Sequence, residues 1–410
     1  MTRRVVITGM GTLNPCGSTV AETWENITNG RSGIRPITLF DTTNFPVTVG
    51  GEVKNFDPAK YMDAREARRR DRCQQLASAT VQEAMQQAGL PITPDNAPRV
   101  AVIVSCAIGG GKSFSDAVVT LQEQGPRRLN VFTVPMFMSN GPSGLVGIDI
   151  GAKGPNFSVE SACASGADGI GTAWNLIRAG VVEAAIAGAT DASLVAVGVA
   201  AFARLGATTA RLEGVPQPFD KERDGVVIGE GAALLVLEAL EHAQQRGATI
   251  LAELAGYAST SDAFHITAPA EDGASGALAM RLAVESAGLN LSDIGYINAH
   301  GTGTPLNDAA ETVAIKRAFG DLAYRIPVSS TKSMTGHMMG ATGALEAILC
   351  VQALRAGVLP PTINYHTPDP ACDLDYVPNT AREVRLHAAI SNSFGFGGHN
   401  AVLAFKAYRG

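Results

Sequence analysis

The chain has 410 residues, 46% of them hydrophobic and 17% charged, with a formal net charge of −6. So much apolar material excludes a disordered chain, and the acidic balance lacks the basic footprint of nucleic-acid binding, so no nucleic-acid partner is expected. No apolar run reaches the roughly 18 residues of a membrane span, so no membrane association is expected either.

The opening Met1-Thr-Arg-Arg-Val-Val-Ile-Thr-Gly9 has charges followed by a short apolar run. No small-residue cleavage pattern follows, so residues 4–9 read as a first strand. Gly9-Met-Gly11 begins like a dinucleotide fingerprint, but Asn14 stands where the third glycine belongs, and a tight turn after the strand is expected. Residues 71–88 read as a helix stopped at Gly89, and 99–105 as a buried strand. Gly109-Gly-Gly-Lys112-Ser113 looks like the end of a phosphate loop, yet Cys106 occupies the place of its first glycine. Residues 157–161 form a short strand. A helix over 164–179 follows, with Ala167, Ile170, Trp174 and Ile177 on one face and Gly180 as a stop. Residues 182–189 and 232–237 are further strands.

The second half repeats this order. Strands at 250–257, 294–299 and 326–330 alternate with helices at 275–287, 308–319 and 340–356, and closing strands follow at 388–393 and 400–405. Ala84-Met-Gln-Gln-Ala-Gly-Leu90 is echoed by Ala283-Val-Glu-Ser-Ala-Gly-Leu289. The echo and the matching order predict a duplication near residue 250, with units 1–250 and 251–410 packed as one body. Strands alternating with helices predict an α/β protein with parallel sheets covered by helices.

The six cysteines are scattered, with no C-x-x-C pair. That argues against a disulfide framework or a zinc site and fits a cytoplasmic protein. Cys163 alone stands out, because it falls where a strand hands over to a helix rich in Ala and Gly. Free N–H groups and the helix dipole there favour thiolate, so a pKa below the free value of about 8.5 is expected. The small neighbours Ala162, Ala164, Ser165 and Gly166 leave room for a substrate, and the Cys163 N–H is a candidate oxyanion donor. His300 follows a strand directly, within His-Gly-Thr-Gly-Thr304. Ligands of parallel α/β sheets collect at such strand ends. Lys332 follows the next strand and His337 comes five residues later. Together these groups suit covalent thioester chemistry, the cysteine holding an acyl group and two neutral imidazoles stabilising an enolate oxygen.

The segments Phe157-Ser-Val-Glu-Ser-Ala-Cys163-Ala-Ser-Gly166, Asn298-Ala-His300-Gly-Thr-Gly-Thr304-Pro, Val328-Ser-Ser-Thr-Lys332-Ser-Met and Asn392-Ser-Phe-Gly-Phe396-Gly-Gly398 resemble the elongating β-ketoacyl-[acyl-carrier-protein] synthases. The resemblance extends over nearly the whole chain and includes Pro218-Phe-Asp-Lys-Glu-Arg-Asp-Gly225. It implies the thiolase fold, with duplicated βαβαβαββ halves in a five-layered αβαβα architecture. It implies decarboxylative condensation of a malonyl-carrier protein with an acyl chain on Cys163, with His300 and His337 supporting decarboxylation, Lys332 tuning the site and Phe396 gating it and joining the oxyanion hole. By the same resemblance Thr302, Thr304 and Thr267 meet the phosphopantetheine arm, and Ile108, Phe202 and Phe394 meet the acyl substrate. No cofactor is required, although some members hold a structural Na+ or K+, here at Asn298, Glu346, Ser391 and Asn392. The implied partners are an acyl carrier protein and a second copy of the chain. The carrier is acidic, so a basic patch is expected. Arg65, Arg68, Arg69, Arg70 and Arg72 form one candidate cluster, and Arg127 and Arg128 another.

Ala107 stands where many members carry glycine, and Gly206 where a carrier-contacting arginine is common, which leaves chain length and docking open. A thiolase would need a late catalytic cysteine in a glycine context, which neither Cys350 nor Cys372 has. A starter synthase would carry asparagine at His337. A polyketide-pathway synthase, a cysteine thioester hydrolase and a non-catalytic carrier-binding protein remain as alternatives.

Overall fold

A computed structural model describes residues 3–211 and 214–409, so the first two residues of the opening run lie outside it. The first half contains β1 (Val5–Leu13), α1 (Arg72–Ala88), β2 (Val100–Ser105), α2 (Gly141–Ile150), β3 (Asn156–Phe157), α3 (Ser165–Arg178), β4 (Ala184–Ala192) and β5 (Glu230–Ala239). The second contains β6 (Ala252–Ser261), α4 (Ala274–Ser286), β7 (Ile297–Asn298), α5 (Pro305–Phe319), β8 (Val328–Ser329), α6 (Gly340–Ala356), β9 (Ala388–Gly395) and β10 (His399–Lys406). The strands lie in the same spatial order in each half, β3-β2-β4-β5-β1 and β8-β7-β9-β10-β6. A short antiparallel pairing of β1 with β6, Val5 opposite Leu254, joins the two sheets edge to edge.

The sheets are mixed rather than parallel. β2 pairs in parallel with β3 and β4, as β7 does with β8 and β9. The β4–β5, β5–β1, β9–β10 and β10–β6 pairings are antiparallel. The reason is the connections. β10 returns from β9 through a tight turn at Gly397 and Gly398, with φ of +85° and +77°. The chain between β4 and β5 comes back to the end of the sheet it left.

Three apolar cores make five layers. α1 and α2 cover the outer face of the first sheet, with Ala77, Val81, Ala84 and Val146 against Val102, Ile186 and Leu234. α4 and α5 cover the outer face of the second, with Met280, Ala283 and Ile315 against Ile297, Ile390 and Val402. α3 and α6 lie between the sheets in one continuous core, where Ile170, Ile177, Leu345 and Ile348 meet both. Each such fully buried side chain contributes about 1.5–3 kcal/mol. Fourteen of the seventeen residues of α6 are buried, as a central helix requires.

Several ends follow from local chemistry. The Asp71 side chain accepts from the Cys73 N–H, Gln74 answers in a capping box, and Gly89 closes α1 at φ +56°. Gly9 and Gly11 do not turn the chain as expected. They lie inside β1, where a Cβ would stand 2.2 Å from Ala84 O and 2.4 Å from Thr80 O. Glycine there lets α1 settle onto the strand. The Gly109–Ser113 stretch opens the helix Gly111–Gln124, with Lys112 paired to Asp116 and Ser113 to Asp71. The strand expected over 157–161 ends at Phe157, because beyond it the Val159 N–H turns to the Ser105 hydroxyl instead of a ladder partner.

Candidate active site

The turn that carries Cys163 is built from a strained residue and close glycine contacts. Ala162 has φ +52°, a left-handed conformation costing an ordinary residue about 1 kcal/mol, and it starts the single 3-10 turn Ala162–Ala164 that carries Cys163. A Cβ at Gly166 would lie 2.4 Å from Gly340 O, so α3 and α6 touch directly behind the turn. One at Gly395 would lie 2.7 Å from Ser161 O and 3.1 Å from Cys163 N, so the end of β9 presses on the same turn.

A cavity of about 400 Å³ opens in front of Cys163. His300, Thr302 and Thr304 line it from the turn after β7, His337 from the approach to α6, and Phe394 and Phe396 from the β9–β10 hairpin. Thr267 and Phe202 line it too. Ile108 does not; it is 46% exposed on the loop after β2, where the Asp191 carboxylate holds its N–H. Its neighbour Ala107 instead joins the apolar cluster of Leu194, Val199, Ile228, Met339, Phe202 and Cys163.

The imidazoles of His300 and His337 meet edge to face, with ring centroids 5.4 Å apart. Burial, the Lys332 charge and His337 hold His300 well below the usual histidine range, and burial and Lys332 push His337 down to about 3. Both rings are therefore neutral. His337 Nδ1 faces the Thr342 hydroxyl at 3.1 Å, and its buried Nε2 has no protein partner. When Nδ1 accepts from Thr342, Nε2 carries the proton into the cavity.

Lys332 stands behind this surface, 1% exposed, with Nζ 2.6 Å from Glu346 Oε1. Burial pushes Glu346 up to about 7 even with that lysine beside it.

Cys163 departs from the expected thiolate. Burial pushes its thiol up to about 12; Lys332 opposes the rise, Asp191 adds to it, and the N–H groups of Phe396 and Cys163 oppose it. The cysteine keeps part of its surface open to the cavity, but its sulfur lies deep, and α3 begins only at Ser165. Desolvation outweighs the helix end, so the resting group is a thiol. The backbone N–H groups of Phe396 and Cys163 thus converge at the sulfur.

Buried carboxylates not singled out in the sequence hold the site together. Glu311 on α5 accepts the N–H groups of His300 and Gly301 at 2.8 and 2.7 Å and the Asn392 amide at 3.0 Å. Asp308, one turn earlier, accepts those of Phe219 and Gly303. Asp191 accepts from the Ala107 and Ile108 N–H groups and the Cys106 thiol near Cys163. Acidic residues opening a helix just after His-Gly-Thr-Gly-Thr were the available signal for the first two; nothing local marked Asp191.

Of the cation residues, Asn298 and Ser391 are paired across β7 and β9 on the face toward α6, which carries Glu346. Asn298 Oδ1, Glu346 Oε2 and Ser391 Oγ are buried without a hydrogen-bond partner. Asn392, next along the strand, projects to the opposite face, where its amide meets Glu311 and Met280. The structure thus gathers three of the four. Orphaned oxygens with one carboxylate suit a hard monovalent cation.

Of the candidate docking arginines, Arg65, Arg68, Arg127 and Arg128 are exposed. Arg69 is half-buried over the Phe132 ring. Arg70 and Arg72 are not free, since Arg70 pairs with Asp149 and Arg72 with the buried Glu230.

A duplicated five-layered α/β fold with a cysteine and two neutral imidazoles on one cavity, and a buried lysine behind them, defines a thiolase-like protein. The sequence model of the "Beta-ketoacyl synthase, N-terminal domain" matches residues 2–243, and that of the C-terminal domain residues 251–366. The chain belongs to the β-ketoacyl synthase family. The 3-oxoacyl-[acyl-carrier-protein] synthase 2 of Synechocystis sp. is 47% identical over 410 residues, covering 99% of each chain. The solved ishigamide ketosynthase/chain length factor is 38% identical, with a TM-score of 0.94 and full coverage of both chains. A type II polyketide synthase ketosynthase in complex with its acyl-carrier protein, bound to the hexaketide, is 35% identical, with a TM-score of 0.92 and full coverage. No helix among the described residues is long and apolar enough to cross a membrane.

Proposed function

We propose that the chain is a 3-oxoacyl-[acyl-carrier-protein] synthase of the elongating type, which condenses a malonyl-carrier protein with a Cys163-bound acyl chain and lengthens fatty acids by two carbons. The observation that carries this reading is the placement of Cys163, His300 and His337 on one cavity, with both imidazoles neutral. Cys163 attacks the acyl thioester of the carrier; the carbon–sulfur bond to pantetheine breaks as the new one forms, and the thiol proton ends on the departing pantetheine sulfur. Acyl chains enter the apolar cluster around Phe202 and Met339. Malonyl-carrier protein then binds with its pantetheine arm along Thr302, Thr304 and Thr267. Its carboxylate leaves as CO2, and the imidazole N–H groups hold the enolate oxygen. The carbanion attacks the acyl-cysteine carbonyl, whose oxygen is held by the Cys163 and Phe396 N–H groups. Collapse releases the β-ketoacyl-carrier protein and a thiolate that takes up a proton.

Lys332 acts through its charge, opposing the rise of the thiol and keeping the imidazoles neutral. No cofactor takes part. Asn298, Glu346 and Ser391 would hold a structural Na+ or K+, which would compensate the second Glu346 oxygen. The acidic carrier docks on Arg65, Arg68, Arg69, Arg127 and Arg128, where opposite charge speeds encounter. A second copy covers the exposed edge strand β3 and exposed apolar side chains such as Phe114, Val118, Leu121, Val131 and Val134. The protein works in the cytoplasm.

Mass spectrometry of carrier-bound products after mixing the protein with malonyl- and medium-chain acyl-carrier protein tests the reading. A β-ketoacyl product two carbons longer supports it. Free acid instead would assign a hydrolase, and unchanged substrate a carrier-binding partner.

A further inference from the structure

The nucleophile turn is held from the opposite half of the molecule. Asp168, on the second turn after Cys163, is 6% exposed and has both carboxylate oxygens engaged. Oδ2 accepts the hydroxyl of Ser161, and Oδ1 accepts the hydroxyl of Tyr257 at 2.7 Å. Ser161 stands directly before the strained Ala162, and its own N–H donates to Ser165 Oγ at 2.8 Å. Tyr257 lies on β6, in the second half, and burial together with the Asp168 charge keeps its phenol protonated, a permanent donor. The contact is built for: a Cβ at Gly171 would stand 2.3 Å from the Tyr257 ring, so glycine at that point of α3 is what admits the tyrosine.

We propose that Tyr257, Asp168 and Ser161 form a positioning relay that fixes the Ser161–Cys163 turn and thereby aims the Cys163 thiol and N–H at the substrate carbonyl. This rests on Cys163 being the nucleophile. The turn has two supports. The Gly395 backbone presses on it from the cavity side, and Asp168 restrains Ser161 from the helix side. Ala162 keeps its unfavourable φ only while both hold. Tyr257 touches neither substrate nor Cys163; it acts by fixing the carboxylate. With its hydroxyl gone, Asp168 keeps one strong donor and gains freedom to turn away from Ser161. The sulfur then samples orientations in which attack is misaligned, and such misalignment slows a step without abolishing it. The two histidines stand on other elements, His300 held through its backbone N–H by Glu311 and His337 through its ring Nδ1 by Thr342, so the relay does not reach them.

The test is to compare Tyr257→Phe and Asp168→Asn with the parent protein in two reactions: acylation of Cys163 by acyl-carrier protein, followed by intact-protein mass spectrometry, and CO2 release from malonyl-carrier protein. Tyr257→Phe should slow acylation roughly tenfold while CO2 release and carrier KM stay at parent values. Asp168→Asn should do the same or more. Ser161→Ala, which cuts the relay at its other end, provides a second handle if Asp168→Asn folds poorly. Unchanged acylation in Tyr257→Phe overturns the relay, as does a fall in which acylation and CO2 release decline in step with thermal stability. If the parent protein itself takes no acyl group on Cys163, the nucleophile assignment fails and the relay falls with it, an outcome the parent control reads separately.

Discussion

Removing the charge of Lys332 should unmask how the site tolerates a buried carboxylate. Lys332 Nζ lies 2.6 Å from Glu346 Oε1, and both side chains are 1% exposed. Glu346 Oε2 has no protein partner. A carboxyl pushed up to about 7 in the fold works against stability when ionised. That penalty is absent below the ordinary glutamate range, grows as pH rises through it, and is complete above the folded value. Lys332→Met takes away the one neighbour that opposes it. Breaking a buried pair from one side costs about 3–5 kcal/mol. Because Glu346 escapes by taking up a proton, the loss should be smaller in acid and larger in alkali. Glu346→Gln leaves a buried ammonium and should also destabilise. The double variant Lys332→Met/Glu346→Gln carries neither charge and should be more stable than the sum of the singles by about 2 kcal/mol. Urea unfolding of all four proteins on either side of neutrality measures this. Additive single losses, or a Lys332→Met loss independent of pH, would refute the reasoning.

Cys163→Ala should abolish chain extension yet continue to release CO2 from malonyl-carrier protein; undiminished extension would remove the covalent role. His300→Ala should lose CO2 release. In the parent protein that release should persist as pH falls through the usual histidine value of 6.5, because the folded rings stay neutral far below it; a drop centred there would contradict their shifts. Gly166→Ala should lower thermal stability by about 1–3 kcal/mol, since its Cβ meets the Gly340 carbonyl of a helix with no room to retreat. Arg65→Glu combined with Arg68→Glu should raise KM for the carrier with kcat kept, and the difference should shrink as salt is added.

The elements most legible in the sequence were those set by local rules. The helix expected over 340–356 is observed over those residues, and Gly89 stops α1 where expected. Tertiary contacts decided the rest. Gly9 and Gly11 read as a turn because glycine permits one, whereas they are glycine because a helix lies on them. Arg70 and Arg72 belonged to a basic run by sequence, but their partners Asp149 and Glu230 stand 79 and 158 residues away. The residues of the site were legible as motifs; Asp191, which holds the Cys106–Ile108 loop, was not, because its partners lie more than 80 residues away and two of them are backbone N–H groups that leave no trace in residue type.

Cys163, expected as a thiolate, is a thiol because its sulfur is buried. Position along a chain shows that a cysteine precedes a helix, but not how deep its sulfur lies, and depth determines the charge it holds at rest. The resting site contains a thiol, two neutral imidazoles and an ion pair whose charges offset one another. The thiol and the two imidazoles thus carry no charge of their own before substrate arrives. The proposed condensation creates negative charge only in passing, on an enolate oxygen and then on a tetrahedral oxygen. Donors already fixed around those positions, the imidazoles for the first and the Cys163 and Phe396 N–H groups for the second, need no reorganisation when the charge appears. A permanent thiolate would compete for the same donors. A buried thiol that gives up its proton only as the new carbon–sulfur bond forms leaves them free for the oxygens that need them.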